Sequence, residues 1–322
     1  MLQGEHSKRR NEQASRKVVY VAVGANLGIA SAKWIAALLT RSSAMLAEAV
    51  HSTVDTGNEL LLLWGMKRSV RPPDPLHPYG HGKVLYFYSL LVAVYIFSVG
   101  GGVAIYDGFS HLRRPHDYSY VGWSCAVLGI SMAFDLYSWF VSYKELHYRK
   151  DPDESIWDEI IGSKDPTVFT VFLEDSAGLV GSVLALLGIV LGAMFHNPYL
   201  DPLAPIMIGL LLLVVAIVLA RESGALLVGE RTNRGKIRRV KEIISGDPSV
   251  DRVGDLLTMQ LGPDQVLLTV DIRFNRGLNV QQLENAIDRI EQRIREAEPS
   301  IGKMFIEADS LKGESRSASE AA

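Results

Sequence analysis

The sequence predicts an α-helical membrane protein: six transmembrane helices followed by a small ferredoxin-like α/β cytoplasmic domain. Three observations predict it. Apolar residues make up 48% of the 322, which is close to a globular protein, yet they gather into long blocks up to about residue 222. Beyond Gly229 the blocks give way to short amphipathic and alternating segments. Inside one apolar block, His51 and Asp55 stand four residues apart, on one face of a helix.

A spanning helix needs roughly 20 mostly apolar residues. Six stretches qualify: Val18–Leu39, Ala44–Met66, Val84–Ile105, Tyr120–Tyr143, Val168–Phe195 and Leu203–Leu219. The N-terminal tail (1–17) is basic, with Lys8, Arg9, Arg10, Arg16 and Lys17, and it runs into a full-length span. A signal peptide has a shorter core and a small-residue cleavage site, so the first helix is read as uncleaved. Six spans put both termini on one side. Lys67, Arg68, Arg71 and Lys83, together with Lys144, Arg149 and Lys150, share that side, which the positive-inside rule makes cytoplasmic. Arg113 and Arg114 lie on the other side. The transport domain is taken as 18–222, the cytoplasmic domain as 223–312 and a disordered tail as 313–322. The expected location is a bacterial inner membrane, with cytoplasmic termini.

In the second domain, 233–244 reads as an amphipathic helix, and 253–261 and 265–274 as strands joined at Gly262-Pro263-Asp264. Val280–Ala297 reads as a helix, with Leu283, Ile287, Ile290 and Ile294 on its apolar face, and Lys303–Glu307 as a last strand. Helix–strand–strand–helix–strand suggests the ferredoxin-like class. The single cysteine, Cys125, rules out an internal disulfide, and a net charge of −3 without a basic stripe gives no sign of a nucleic-acid partner.

Ionisable groups at membrane depth are costly, so they face a partner, a cavity or an ion path. Imidazole plus carboxylate is a divalent-metal ligand pair. A structural polar pair between helices is the competing reading for His51 and Asp55. Asn58 and Glu59 continue the polar face of the same span. The fifth span adds Glu174 and Asp175, followed by the small residues Ser176, Ala177 and Gly178, which permit close helix approach. His51, Asp55 and Asp175 would make three ligands, with Glu174 or water as the fourth. Adjacent helical residues point about 100° apart, so Asp175 is favoured over Glu174 as the direct ligand. A second constellation, Asp74, His77 and His81, lies in the proline-stiffened loop before the third span and can converge on one cation. Asp135 in the fourth span either relays protons or pairs with another helix. Asn26 and Lys33 in the first span point inward or snorkel.

With its His-x-x-x-Asp in the second span, acidic fifth span, His77-Pro78-Tyr79-Gly80-His81-Gly82-Lys83 loop and Asp201-Pro202 opening the sixth, the chain resembles the cation diffusion facilitators over nearly its whole length. That resemblance implies proton-coupled antiport of a divalent transition metal by alternating access. Zinc is the first candidate substrate, with Mn²⁺, Fe²⁺ or Co²⁺ admitted by the same donors. It further implies a homodimer held partly by the C-terminal domain, and a loop metal site at Asp74, His77 and His81. In the family the fifth helix supplies its own i, i+4 pair. Asp175 matches the second member, but the first falls on Val171, which has no donor atom. The Leu173-Glu174-Asp175 sequence resembles the branch that includes a mitochondrial zinc transporter of animals, which makes the departure a subgroup feature. No histidine follows His196, so the C-terminal domain is expected to lack a full zinc site. Two other classes stay open: a membrane regulator that senses metal, and an intramembrane metalloenzyme, for which no His-Glu-x-x-His occurs.

Overall fold

The computed structural model describes residues 26–113, 121–149 and 164–308. The basic N-terminal tail, the start of the first span and the expected disordered tail lie outside the described residues. The chain divides into two compact units. One takes the chain up to Lys67 and Phe87–Ser223; the other takes Arg68–Tyr86 and the chain from Gly224.

The first unit is helical. Its elements are α1 (26–40), α2 (Ser43–Ser69), α3 (Val84–Arg113), α4 (Val121–Arg149), α5 (Pro166–Phe195) and α6 (Leu200–Val228), of which α2 after Lys67, α3 before Phe87 and α6 after Ser223 belong to the other unit. Four of them, α3 to α6, contain windows long and apolar enough to cross a membrane. The other two expected spans differ for physical reasons. α2 is long enough, at 27 residues, but its polar face takes it out of that class. The described part of α1 is short because its expected start lies before residue 26.

Local chemistry sets the helix ends. Asp165 caps α5 by accepting from the Thr167 amide, with Pro166 at the first helical position, where its missing N–H costs nothing. The cap of α2 comes from a distant part of the chain. Asp201, in the first turn of α6, accepts from the Ser43 amide at 2.9 Å and from the hydroxyls of Ser42 and Ser43 at 2.7 and 2.8 Å. A carboxylate there meets the positive end of the α2 dipole. α3 is not uniform: Ile96–Gly101 forms a π-helical turn within it.

Glycines let α3 and α6 touch backbone to backbone. A Cβ on Gly209 would stand 2.5 Å from Ile105 Cγ1 and 2.9 Å from the Gly101 carbonyl oxygen. A Cβ on Gly108 would stand 2.5 Å from Ile206 Cγ1. Such small-residue seams replace the hydrophobic effect as the source of packing between membrane helices.

In the second unit, α7 (Arg234–Ser245), β1 (Val250–Gly262), β2 (Gln265–Phe274), α8 (Val280–Ala297) and β3 (Ile301–Ala308) follow in chain order. The sheet order is β1-β2-β3, with β1 and β2 antiparallel and β2 and β3 parallel. The elements match the expected helix–strand–strand–helix–strand order. The fold does not reach the four-stranded β-α-β-β-α-β of the ferredoxin-like class, because among the described residues no strand precedes α7. Val240 and Ile244 of α7 and Ile290 and Ile294 of α8 bury against the β2 residues Val266, Leu268, Val270 and Ile272. A capping box between Asn279 and Gln282 starts α8. Arg289 grips Asp247 through two 2.7 Å hydrogen bonds, and these, with the Ser249 amide, hold the Asp247 carboxyl below its ordinary value.

Two expectations follow. Gly209→Leu forces the α3–α6 seam apart, costs about 1–3 kcal/mol and lowers the melting temperature of the detergent-purified chain. Gly224→Ala, where nothing lies within 4 Å of the new Cβ, leaves it unchanged. The Asp247–Arg289 pair stabilises its unit above the unfolded carboxyl value of about 3.9, and that contribution fades as pH falls through the lowered folded value. Asp247→Asn should therefore reduce hydrogen-exchange protection of the α8 amides in the full chain at pH 7, and the difference from the parent should shrink on acidification.

Candidate metal sites

One face of α2 is polar along its length: Glu48, His51, Ser52, Asp55, Asn58 and Glu59 recur at helical spacing. α5 meets this face with small residues. A Cβ on Gly178 would lie 3.1 Å from His51 Nε2, and one on Gly181 3.0 Å from Glu48 Oε1. The glycines therefore make the notch that admits both side chains. His51 is 2% exposed, its Nδ1 is 3.5 Å from Asp55 Oδ1, and neither ring nitrogen has a hydrogen-bond partner among the described residues.

Beside this pair is a cavity of ≈ 50 Å³. Its carboxylates are Asp55 and Glu59 from α2, Asp135 from α4, and Glu174 and Asp175 from α5. Val171 is also in the wall, one turn before Asp175. Glu174 and Asp175 both line the cavity although helix geometry separates their directions: Asn58 holds Glu174 Oε1 at 2.9 Å, and Ser138 donates to Asp175 Oδ2 at 2.9 Å. Asn26 donates to Glu59. Asp55, Glu174 and Asp175 thus line one cavity, with His51 beside Asp55 and outside the lining; among the described residues the only three metal-ligating groups whose donor atoms lie within 4.8 Å of one another are Asp74, His77 and His81.

The sequence reading overlooked Glu48. It is fully buried, accepts from Lys33 Nζ at 2.9 Å and from the Ser182 hydroxyl at 2.9 Å, and so joins α1, α2 and α5. The signal was present: Glu48 stands one turn before His51 on the same polar face. Lys33 points inward, 1% exposed, and does not snorkel. Asp135 pairs loosely with it across helices, with Oδ2 4.0 Å from Nζ.

The second constellation is built in the other unit. Gly80 adopts φ +88°, a left-handed conformation that turns the loop back on itself. This brings His81 Nε2 to 3.0 Å from Asp74 Oδ2, while His77 Nδ1 is 3.0 Å from Oδ1. The donors of the three residues lie within 4.8 Å of one another, which suits a single small cation with ligand bonds of about 2 Å. Desolvation works against the Asp74 carboxylate. Hydrogen bonds from the His77 ring and amide, from His81 and from the Leu76 amide outweigh it and lower the carboxyl to about 2. Asp74 is therefore charged throughout the range in which histidines ordinarily exchange protons.

The loop is fixed to its own unit. Lys303 donates to the Pro78 carbonyl at 2.9 Å and lies 4.7 Å over the Tyr79 ring. Gly82 abuts β1, where a Cβ would meet the Leu261 carbonyl at 2.3 Å. Lys83 donates to the Leu227 carbonyl at 3.3 Å. The loop groups with the C-terminal unit, whereas the sequence reading placed it within the transport domain. Nothing in the local sequence announces a contact with residues more than 140 positions away. Among the described residues of the C-terminal unit, no second cluster of metal-ligating groups occurs.

The sequence profile of the cation efflux transmembrane domain matches residues 19–228, and that of the cation efflux protein cytoplasmic domain matches 233–310. A mitochondrial proton-coupled zinc antiporter of Homo sapiens is 31% identical over 283 residues, 87% of this chain and 50% of that protein. Metal tolerance protein C4 of Arabidopsis thaliana is 31% identical over 272 residues, 84% of this chain and 60% of that protein. A manganese efflux system protein of Bacillus subtilis is 23% identical over 305 residues, 92% of this chain and 96% of that protein. The chain spans about half the length of the first of these relatives.

If the Asp74 loop is a metal site, Zn²⁺ binding by the full chain carrying Asp55→Ala should weaken about tenfold or more on Asp74→Asn. Competition with a chromophoric chelator measures this.

Proposed function

Because the chain belongs to the cation efflux family, an assignment that sets the metalloenzyme alternative aside, we propose that it moves a divalent transition metal across its membrane in exchange for protons, with zinc as the main substrate. The observation that supports this reading is that Asp55 of α2 and Glu174 and Asp175 of α5 line one small cavity, with His51 3.5 Å from Asp55. Mn²⁺ is the nearest competing substrate, since one imidazole among carboxylates also suits it.

The chemistry of exchange follows from the donors. A metal ion takes the neutral imidazole of His51 and the ionised carboxylates of Asp55 and Asp175, so binding expels the protons those groups carry. When the cavity opens to the opposite side, protons return to the same atoms and displace the metal. Gly178 leaves the His51 ring room to engage from α2. The Asp74, His77 and His81 loop holds a second ion. The C-terminal unit pairs two copies of the chain into a homodimer without a full zinc site of its own. Termini are cytoplasmic in a bacterial inner membrane. A mitochondrial membrane is the second reading, favoured by the name of the human relative.

Flux into proteoliposomes under a pH gradient tests the proposal. Zn²⁺ uptake should exceed Mn²⁺ uptake, move protons in the opposite direction, and fall about tenfold or more in Asp55→Ala. Metal that binds without flux would transfer the weight to a metal-sensing membrane regulator.

A further inference from the structure

The resemblance expects a fifth-helix ligand at position 171, and that position lies in the cavity lining. Val171 lies one turn before Asp175 on α5 and offers no donor atom. α4 adds polar groups, with Asp135 and Ser138 in the same lining. Ser138 is occupied with Asp175. Asp135 is not held in this way: its Oδ2 has no hydrogen bond and stands 4.0 Å from Lys33 Nζ. Lys33 is drawn away by Glu48, at 2.9 Å, which Ser182 also holds.

Two further buried groups stand at or beside the cavity. Glu174 is 7% exposed and lines the cavity, with Asn58 on Oε1. His51, beside Asp55 and outside the lining, is 2% exposed with both nitrogens unpaired by hydrogen bonds. Carboxylates from three helices around one small cavity repel one another unless a cation shares their charge. α2 and α5 alone present His51, Asp55 and Asp175 as ligands, with Glu174 already tied to Asn58.

We propose that Asp135 of α4 completes the metal site in place of the ligand absent at Val171, so that the transported ion is held by three helices. This rests on the transport reading above. Lys33 then has a defined part. It balances Asp135 through space when the cavity holds no ion, and its hydrogen bond to Glu48 keeps it from covering the carboxylate. With one imidazole and three carboxylates, the donor set is oxygen-rich, which narrows the margin between Zn²⁺ and Mn²⁺.

The test uses the full chain in proteoliposomes and in detergent, with Zn²⁺ as the probe. Asp135→Asn should lose about tenfold or more in both Zn²⁺ affinity and uptake. Adding Val171→Asp to that variant restores the donor from α5 and should recover most of the loss. Val171→Asp alone should leave Zn²⁺ affinity within about threefold of the parent, because the fourth position is already filled. Parental affinity in Asp135→Asn would overturn the proposal. So would a double variant of parental melting temperature that recovers nothing, or a tenfold tightening by Val171→Asp alone, which would assign the fourth position to water. The last measurement decides the matter even if Asp135→Asn does not fold. A parent chain that binds Zn²⁺ but carries no flux would instead count against the transport reading, while the affinities would still decide the role of Asp135.

Discussion

Glu48 brings a carboxylate into the interior of a helical membrane domain, and three helices are arranged around its neutralisation. An isolated charge at that depth is untenable, so its partner must arrive with it. Lys33 of α1 supplies the counter-charge, Ser182 of α5 a hydrogen bond, and Gly181 the space for the carboxylate. One turn further along α2, the same close approach sets His51 against Gly178. The polar pair fixes the axial register of α2 against α5, and the metal-ligating residues inherit that register. Asp201 performs a related service at the start of α2. An element that carries its own buried charges is thus tied down at its first residue and again one turn before the histidine.

The helices were legible because bilayer thickness imposes a length, and five of the six expected spans lie within described helices to within a few residues at their starts. The polar face of α2 was legible because its period is that of a helix. What could not be read was pairing across helices. Nothing in the residues around Lys33 names Glu48 as its partner rather than Asp55 or Asp135, and the choice depends on crossing geometry. The acidic pair in the fifth span shows the same limit. A 100° separation on a helical wheel favoured Asp175 over Glu174 as the direct ligand, but it could not show that both line the cavity or that Asn58 holds Glu174.

Grouping of the loop with the C-terminal unit is another long-range fact. The spacing of Asp74, His77 and His81 is local and visible in the sequence; the hold of Lys303 on Pro78 and Tyr79 is not. In the C-terminal unit itself, the order of helices and strands followed from alternation and turn residues. The fold class did not, because the same order serves a three-stranded sheet as well as a four-stranded one.

The π-helical turn at Ile96–Gly101 has a consequence for comparing this chain with others. A π turn amounts to one residue spliced into an α-helix, so it rotates everything after it by about 100° relative to an uninterrupted helix. Gly108, which packs on α6, stands where it does only because of that extra residue. A homologue with a regular third helix would need a gap of one within 96–101 to align its buried positions. Without that gap, lipid-facing residues would be matched to packed ones along the whole second half of the helix, and glycines of the seam would be scored as freely variable.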